Sequence, residues 1–129
     1  MYKAVVAAVV FVSLCPAAEA KNAFKVAGPG MATCEQFAQQ ALHNKQLEAF
    51  YFSWGQGWMS ATNMLLTVSG DSSSATDLAA VGIEDQMLYI RAYCEDNPFK
   101  YYEAAVIDLY NSMRTAQGLE SWIANFKQR

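Results

Sequence analysis

Few residues in this chain are equipped for covalent chemistry. Among its 129 residues there is one histidine, His43, and there are three cysteines, Cys15, Cys34 and Cys94. A Ser-His-Asp relay or a Cys-His pair needs an imidazole beside the nucleophile, so either would have to recruit His43. That residue sits in LHNK (Leu42 to Lys45) near a predicted helix end, where a cation suits the helix dipole, and it reads as solvated. The acidic pairs Glu84-Asp85 and Glu95-Asp96 are neighbours in sequence and do not share one helix face. Two cysteines and a distant histidine do not make a tetrahedral metal set, and no segment follows the calcium-loop pattern. Gly55-Gln56-Gly57 is a bare G-x-G with no strand before it, too weak for a dinucleotide fingerprint. These residue types point to a non-catalytic protein with no metal and no cofactor.

The cysteines have a different use. The chain opens MYKAVVAAVVFVSLCPAAEA: Lys3, an apolar run from Ala4 to Leu14, Pro16, then Ala18-Glu19-Ala20. That order predicts a secretory signal peptide over residues 1–20, with the mature chain beginning at Lys21 in a periplasmic or secreted compartment. Leu14 is not the small residue that a lipid-anchor signal needs before Cys15. Removal of residues 1–20 leaves Cys34 and Cys94, and an even count in an oxidising compartment predicts one disulfide. Closing the 60 residue steps between them stabilises a chain by roughly 4 kcal/mol in the chain-entropy account. Residues 21–129 make one domain with a modest core. The net charge of −3 gives no basic footprint for nucleic acid and no polybasic patch for anionic lipid.

The elements that must position any site read as helices. Lys21 to Ala32 is an irregular lead-in punctuated by Gly28-Pro29-Gly30. Thr33 and Gln36 fit a capping box, and Cys34, Phe37, Ala38, Ala41 and Leu42 follow a helical stripe. The second segment, Leu47 to Val68, contains FYFSWGQGWMSATN, and no charged residue occurs between Glu48 and Asp71. Its length suits a membrane span, but Gln56 and Asn63 at mid-bilayer would be costly. It reads as a buried central helix with Leu47, Phe50, Tyr51, Trp54, Trp58, Ala61, Leu65 and Val68 inward, widened by Phe52, Met59 and Met64. Gly55 and Gly57 read as points of close helix approach. Ser69 to Asp77 is a polar loop, with Asp77 capping a short turn. A third helix runs from Ile83 to Glu95. Asp96-Asn97-Pro98 stops it, and Pro98 opens the fourth. Leu119 to Phe126 adds a last amphipathic segment around Trp122. The fold class is therefore all-α: a small single-domain bundle of four to five helices with one disulfide.

Aromatic residues make up 13% of the chain, many at helical apolar positions. Large apolar residues are mostly core, yet aromatics are also enriched where proteins meet. Trp54, Trp58 and Trp122 are therefore candidate protein-binding residues. So are Asp71 and Ser73, on a loop placed to project from the bundle.

At ATCEQF and IRAYCEDNP the chain resembles the HdeA/HdeB-type periplasmic acid-stress chaperones. Those carry a signal peptide, a T-C-x-x-F helix start, an apolar Trp-bearing helix and a Y-C-x-x-N-P-like helix end. Cys34, Phe37, Tyr93, Cys94, Asn97 and Pro98 match in kind, over roughly Thr33 to Tyr110. YFSWGQGWMSATN is also similar to the Rap/Tai-type immunity proteins of type VI secretion amidase effectors. The tail around Trp122 is absent from the small chaperones, and the further cysteines common in the immunity proteins are absent here. The resemblance implies an all-helical domain whose disulfide joins the first helix to a later one. It also implies a partner that is another protein, a client or a cognate effector. Pairing with a second copy is a further expectation.

Overall fold

The computed structural model describes residues 26–114 and 123–124. The predicted signal peptide over residues 1–20 and the candidate residue Trp122 lie outside the described residues. Within them the chain is helical: α1 (Cys34–Ala41), α2 (Lys45–Val68), α3 (Ile83–Asp96) and α4 (Tyr102–Arg114), with 3-10 turns at Gly28–Met31 and Ser72–Ser74. The one extended pairing among the described residues is an antiparallel bridge between Thr33 and Tyr101. No helix is long and apolar enough to cross a membrane, among the described residues.

A helix as short as α1 cannot hold itself together by propensity. Its N-terminus is secured from outside instead. The Thr33 hydroxyl accepts from the Gln36 amide at 3.2 Å, and the Gln36 side chain accepts from the Thr33 amide at 2.9 Å, the capping box predicted above. The next two free N–H groups reach across the molecule: Cys34 donates to the Lys100 carbonyl at 2.8 Å and Glu35 to that of Pro98 at 2.9 Å. All four donors that a helix start leaves open are thereby satisfied. The same pairing explains why α4 opens at Tyr102 and not at Pro98. Residues 98–101 are held as a loop whose carbonyls face α1, and the Tyr102 amide donates to the Ala32 carbonyl at 2.8 Å. Cys34 and Cys94 form a disulfide with a Cα–Cα distance of 4.7 Å, fastening α1 to α3.

The core lies where α1, α2 and α4 converge. Phe37, Tyr51 and Tyr102 form an aromatic triangle with centroids 5.0–5.2 Å apart. Met59, Ile90, Val106, Leu109 and Tyr110 extend it along the bundle. Ile123 packs partly buried against this core. Within α2 the buried residues are Glu48, Tyr51, Phe52, Gly55 and Met59. The buried face is thus turned from the expected one by about one residue's step around the axis, roughly 100°. Phe50, Ala61, Met64, Leu65 and Val68 are exposed, and Trp54 and Trp58 lie at the edge. Gly55 does mark a close approach, since a Cβ there would lie 3.0 Å from Val106 of α4. Gly57 does not: beyond its chain neighbours and its own helix backbone, no described atom comes within 4 Å of its Cβ position.

Candidate protein-interaction surface

Three polar ties run along the inner edge of α2. Glu48 is buried and pairs with the Arg91 guanidinium of α3, and that carboxylate raises the Arg91 pKa. Two turns on, Gln56 donates to the buried Gln86 at 2.6 Å, while the Gln86 amide nitrogen donates to the Leu78 and Val81 carbonyls. Two further turns on, Asn63 donates to the Thr76 carbonyl at 2.7 Å and accepts from its amide at 2.9 Å. The Tyr110 hydroxyl donates to the same Asn63 oxygen at 2.7 Å. Each side chain that argued against a membrane span therefore has its partners. Buried amides this well matched specify one arrangement of the surrounding backbone.

The Asn63 tie defines the loop from Ser69 to Asp77. Gly70, at φ +85°, turns the chain away from α2. Thr76 is pinned, and the Asp77 carboxylate accepts from the Ala79 amide at 2.9 Å, capping the turn as expected. Between these anchors Asp71 and Ser73 are exposed, and the Ser73 hydroxyl donates to Asp71 at 3.2 Å. Hydrogen bonding from Ser74 holds the Asp71 carboxyl below the usual range, helped by Ser73 and the positive field of Arg114.

Trp54 and Trp58 sit on the flank facing α4. The Trp54 indole N–H donates to the Ala27 carbonyl at 3.1 Å, and its ring covers Gly30, where any Cβ would enter the indole. Trp58 meets Tyr110 edge-on at 5.9 Å. Both are half-buried, so each presents one edge outward. Trp58 and the loop share one end of the bundle through Tyr110 and Asn63, whereas Trp54 lies a turn back, under the lead-in.

The outward face of α2 carries Phe50, Met64 and Val68, exposed by 58%, 62% and 76%. A solvated helix face ordinarily carries charge, and this one has none. Sequence reasoning turned these residues inward; the signal that could have placed them is the position of Gln56 and Asn63, since paired amides mark the inner edge. A second opening, a groove of about 460 Å³ between α1 and α3, is lined by Phe37, Leu42, Leu88 and Ala92, with Arg91 and Glu95 at its rim.

Groups with chemical potential elsewhere are engaged structurally. The Tyr89 hydroxyl donates to Asp108 at 2.6 Å and lies 2.8 Å from Ser112. Burial and the Asp108 carboxylate push its pKa up to about 12, which keeps the phenol protonated. His43 is exposed at the α1–α2 junction, and no three metal-ligating side chains converge among the described residues. The chain matches no protein-family model, no curated protein and no solved structure.

Proposed function

We propose that this is a small exported, non-catalytic protein-binding domain that works as an HdeA/HdeB-like stress chaperone in the periplasm. The observation that carries the reading is the contrast between two fastenings. α2 is tied to α3 partly through the pair of the buried Glu48 with the part-exposed Arg91, and α1 is tied to α3 through Cys34–Cys94. Acid acts on the first and not on the second. At low pH the carboxylates lose their charge, Arg91 loses its counter-ion, and the lysines, arginines and His43 repel one another. Neutralising Glu48 removes this tie, and the Arg91 guanidinium, 36% exposed, can turn to water. α2 can then swing out and uncover Tyr51, Phe52 and Met59 for an unfolding client, while the disulfide keeps α1 and α3 together.

A second reading has its own support. The Asn63–Thr76 clamp makes the loop bearing Asp71 and Ser73 a fixed projection at neutral pH, as a Rap/Tai-type inhibitor of a periplasmic amidase effector would require.

The two readings differ in acid. A chaperone should gain apolar-dye binding between pH 4 and pH 2 with its helical circular dichroism largely kept. It should also suppress aggregation of a client protein in that window, and lose the protection when Cys34–Cys94 is reduced. An inhibitor should show no new dye binding and should hold one amidase tightly at pH 7. Failure of both outcomes would remove the protein-binding proposal.

A further inference from the structure

The groove between α1 and α3 is used by neither reading above. The disulfide joins the first residue of α1 to the last turn of α3, and Leu42 and Leu88 line the same groove further along, so the two helices run antiparallel. Ala38 and Ala92 stand between these points. Small side chains midway along two facing walls leave a space of about 460 Å³, lined as well by the buried Phe37. That is the size of a small-molecule site.

The two ends of the groove differ. Leu42 and Leu88 make one end apolar. The other end, by Cys94, carries Glu95, which is exposed and has no cation paired to it among the described residues. Glu35, three residues before Ala38, shares that side of α1. Arg91 is the one cation among the described lining residues, and its charge is already answered: its Nε donates to Glu48, and Glu84 lies in its field. An anionic head group would meet an excess of carboxylates here, whereas a cationic one would find Glu95 open to it. We propose that this groove binds a cationic amphiphile of the long-chain alkylamine class, its tail lying over Ala38 and Ala92 toward Leu42 and Leu88 and its ammonium group held by Glu95.

The dimensions favour a single chain over a peptide helix. α1 offers eight residues of wall, about 12 Å. Its start abuts the loop at residues 98–101 and its end turns into α2, so a docked helix of ordinary length would outrun the wall at both ends. An extended alkyl chain of medium length needs no more than this wall, and burying its methylenes supplies the affinity. A domain that buries such tails takes membrane-active amines out of solution. The site uses neither the inner face of α2 nor the loop bearing Asp71 and Ser73, so it stands whichever reading of the function holds.

Isothermal titration calorimetry at pH 7 tests this with decylamine and decanoate, which are matched in tail and opposite in head-group charge. One decylamine per chain is expected, with a dissociation constant on the order of 100 μM, and decanoate should bind at least tenfold more weakly. Ala38→Phe fills the groove and should abolish decylamine binding with an unchanged circular dichroism spectrum. Glu95→Lys changes an exposed residue and tests the same claim should Ala38→Phe fail to fold. It should weaken decylamine at least tenfold and strengthen decanoate. Ala61→Lys and Phe50→Ser, both exposed on the outer face of α2, should alter neither affinity. No saturable decylamine binding would overturn the proposal, as would binding indifferent to Ala38→Phe and Glu95→Lys. Equal affinity for the two probes would overturn the cationic assignment. A saturable site for a basic amphipathic peptide but not for decylamine would overturn the small-molecule assignment.

Discussion

Asn63 shows how much one side chain can decide. It bonds both backbone groups of Thr76 and takes the Tyr110 hydroxyl. Asn63→Ala removes all three bonds and strands the tyrosine, so thermal unfolding should show a loss of about 3 kcal/mol, with faster amide exchange at Thr76. The glycines separate by environment in the same way. Gly57→Ala enters open space and should raise stability by up to about 1 kcal/mol through helix propensity alone. Gly55→Ala presses on Val106 and should lower the melting temperature. Burial raises the Glu103 pKa, and one of its carboxylate oxygens is buried with no hydrogen-bond partner among the described residues. A carboxyl raised in the folded state subtracts stability when ionised, and the penalty fades as pH falls through that raised value. Glu103→Gln should therefore raise the melting temperature at pH 7 and have little effect at pH 3. At this scale the sequence was readable wherever a residue acts locally, as in the Thr33–Gln36 cap and the Asp77 turn. It was silent on Glu48–Arg91, because nothing local brings together residues 43 positions apart.

Among the elements, α2 was the easiest to find and the hardest to orient. Its length and helical character follow from an unbroken run without proline. Its buried face does not, because apolar residues lie on nearly every side and periodicity cannot choose among them. The choice falls to its neighbours, through Val106 packed on Gly55 and Arg91 reaching Glu48. The two edge tryptophans should respond differently to truncation. Trp58→Ala opens a hole beside Tyr110 and should cost about 3 kcal/mol or more in denaturant unfolding. Trp54→Ala should cost less globally while freeing the turn at Gly28–Met31, which limited proteolysis near Ala27 would report. Helix α1 depends on outside support, so Cys34→Ala with Cys94→Ala should cost about 4 kcal/mol and loosen α1 first. The pairing Cys34–Cys94 was legible once Cys15 was assigned to the predicted signal peptide, which left two cysteines. The contact between residues 98–101 and α1 was not, since it consists of carbonyls that any residue type would supply.

For the molecule as a whole, the acid response and the compartment stand or fall by measurement. Mass spectrometry of the exported protein should find Lys21 at the N-terminus and a mass two hydrogens below that of the reduced chain. The loop carboxylate Asp71 adds a small pH dependence of opposite sign to Glu103: its favourable bonds are present above the ordinary carboxylate range and are lost as pH falls through its lowered value. If the chain is exported as proposed, it emerges N-terminus first, and that order conflicts with the architecture. The free amides at the start of α1 find their acceptors at Pro98 and Lys100, close to the far end of the described bundle. The segment that appears first is therefore among the last to settle, and it must stay available while most of the domain follows it. During that interval Cys34 is an unprotected thiol. Pulse-labelling during export should find it reactive until residues beyond Lys100 have arrived, so the timing of oxidation is set by the end of the chain and not by its beginning.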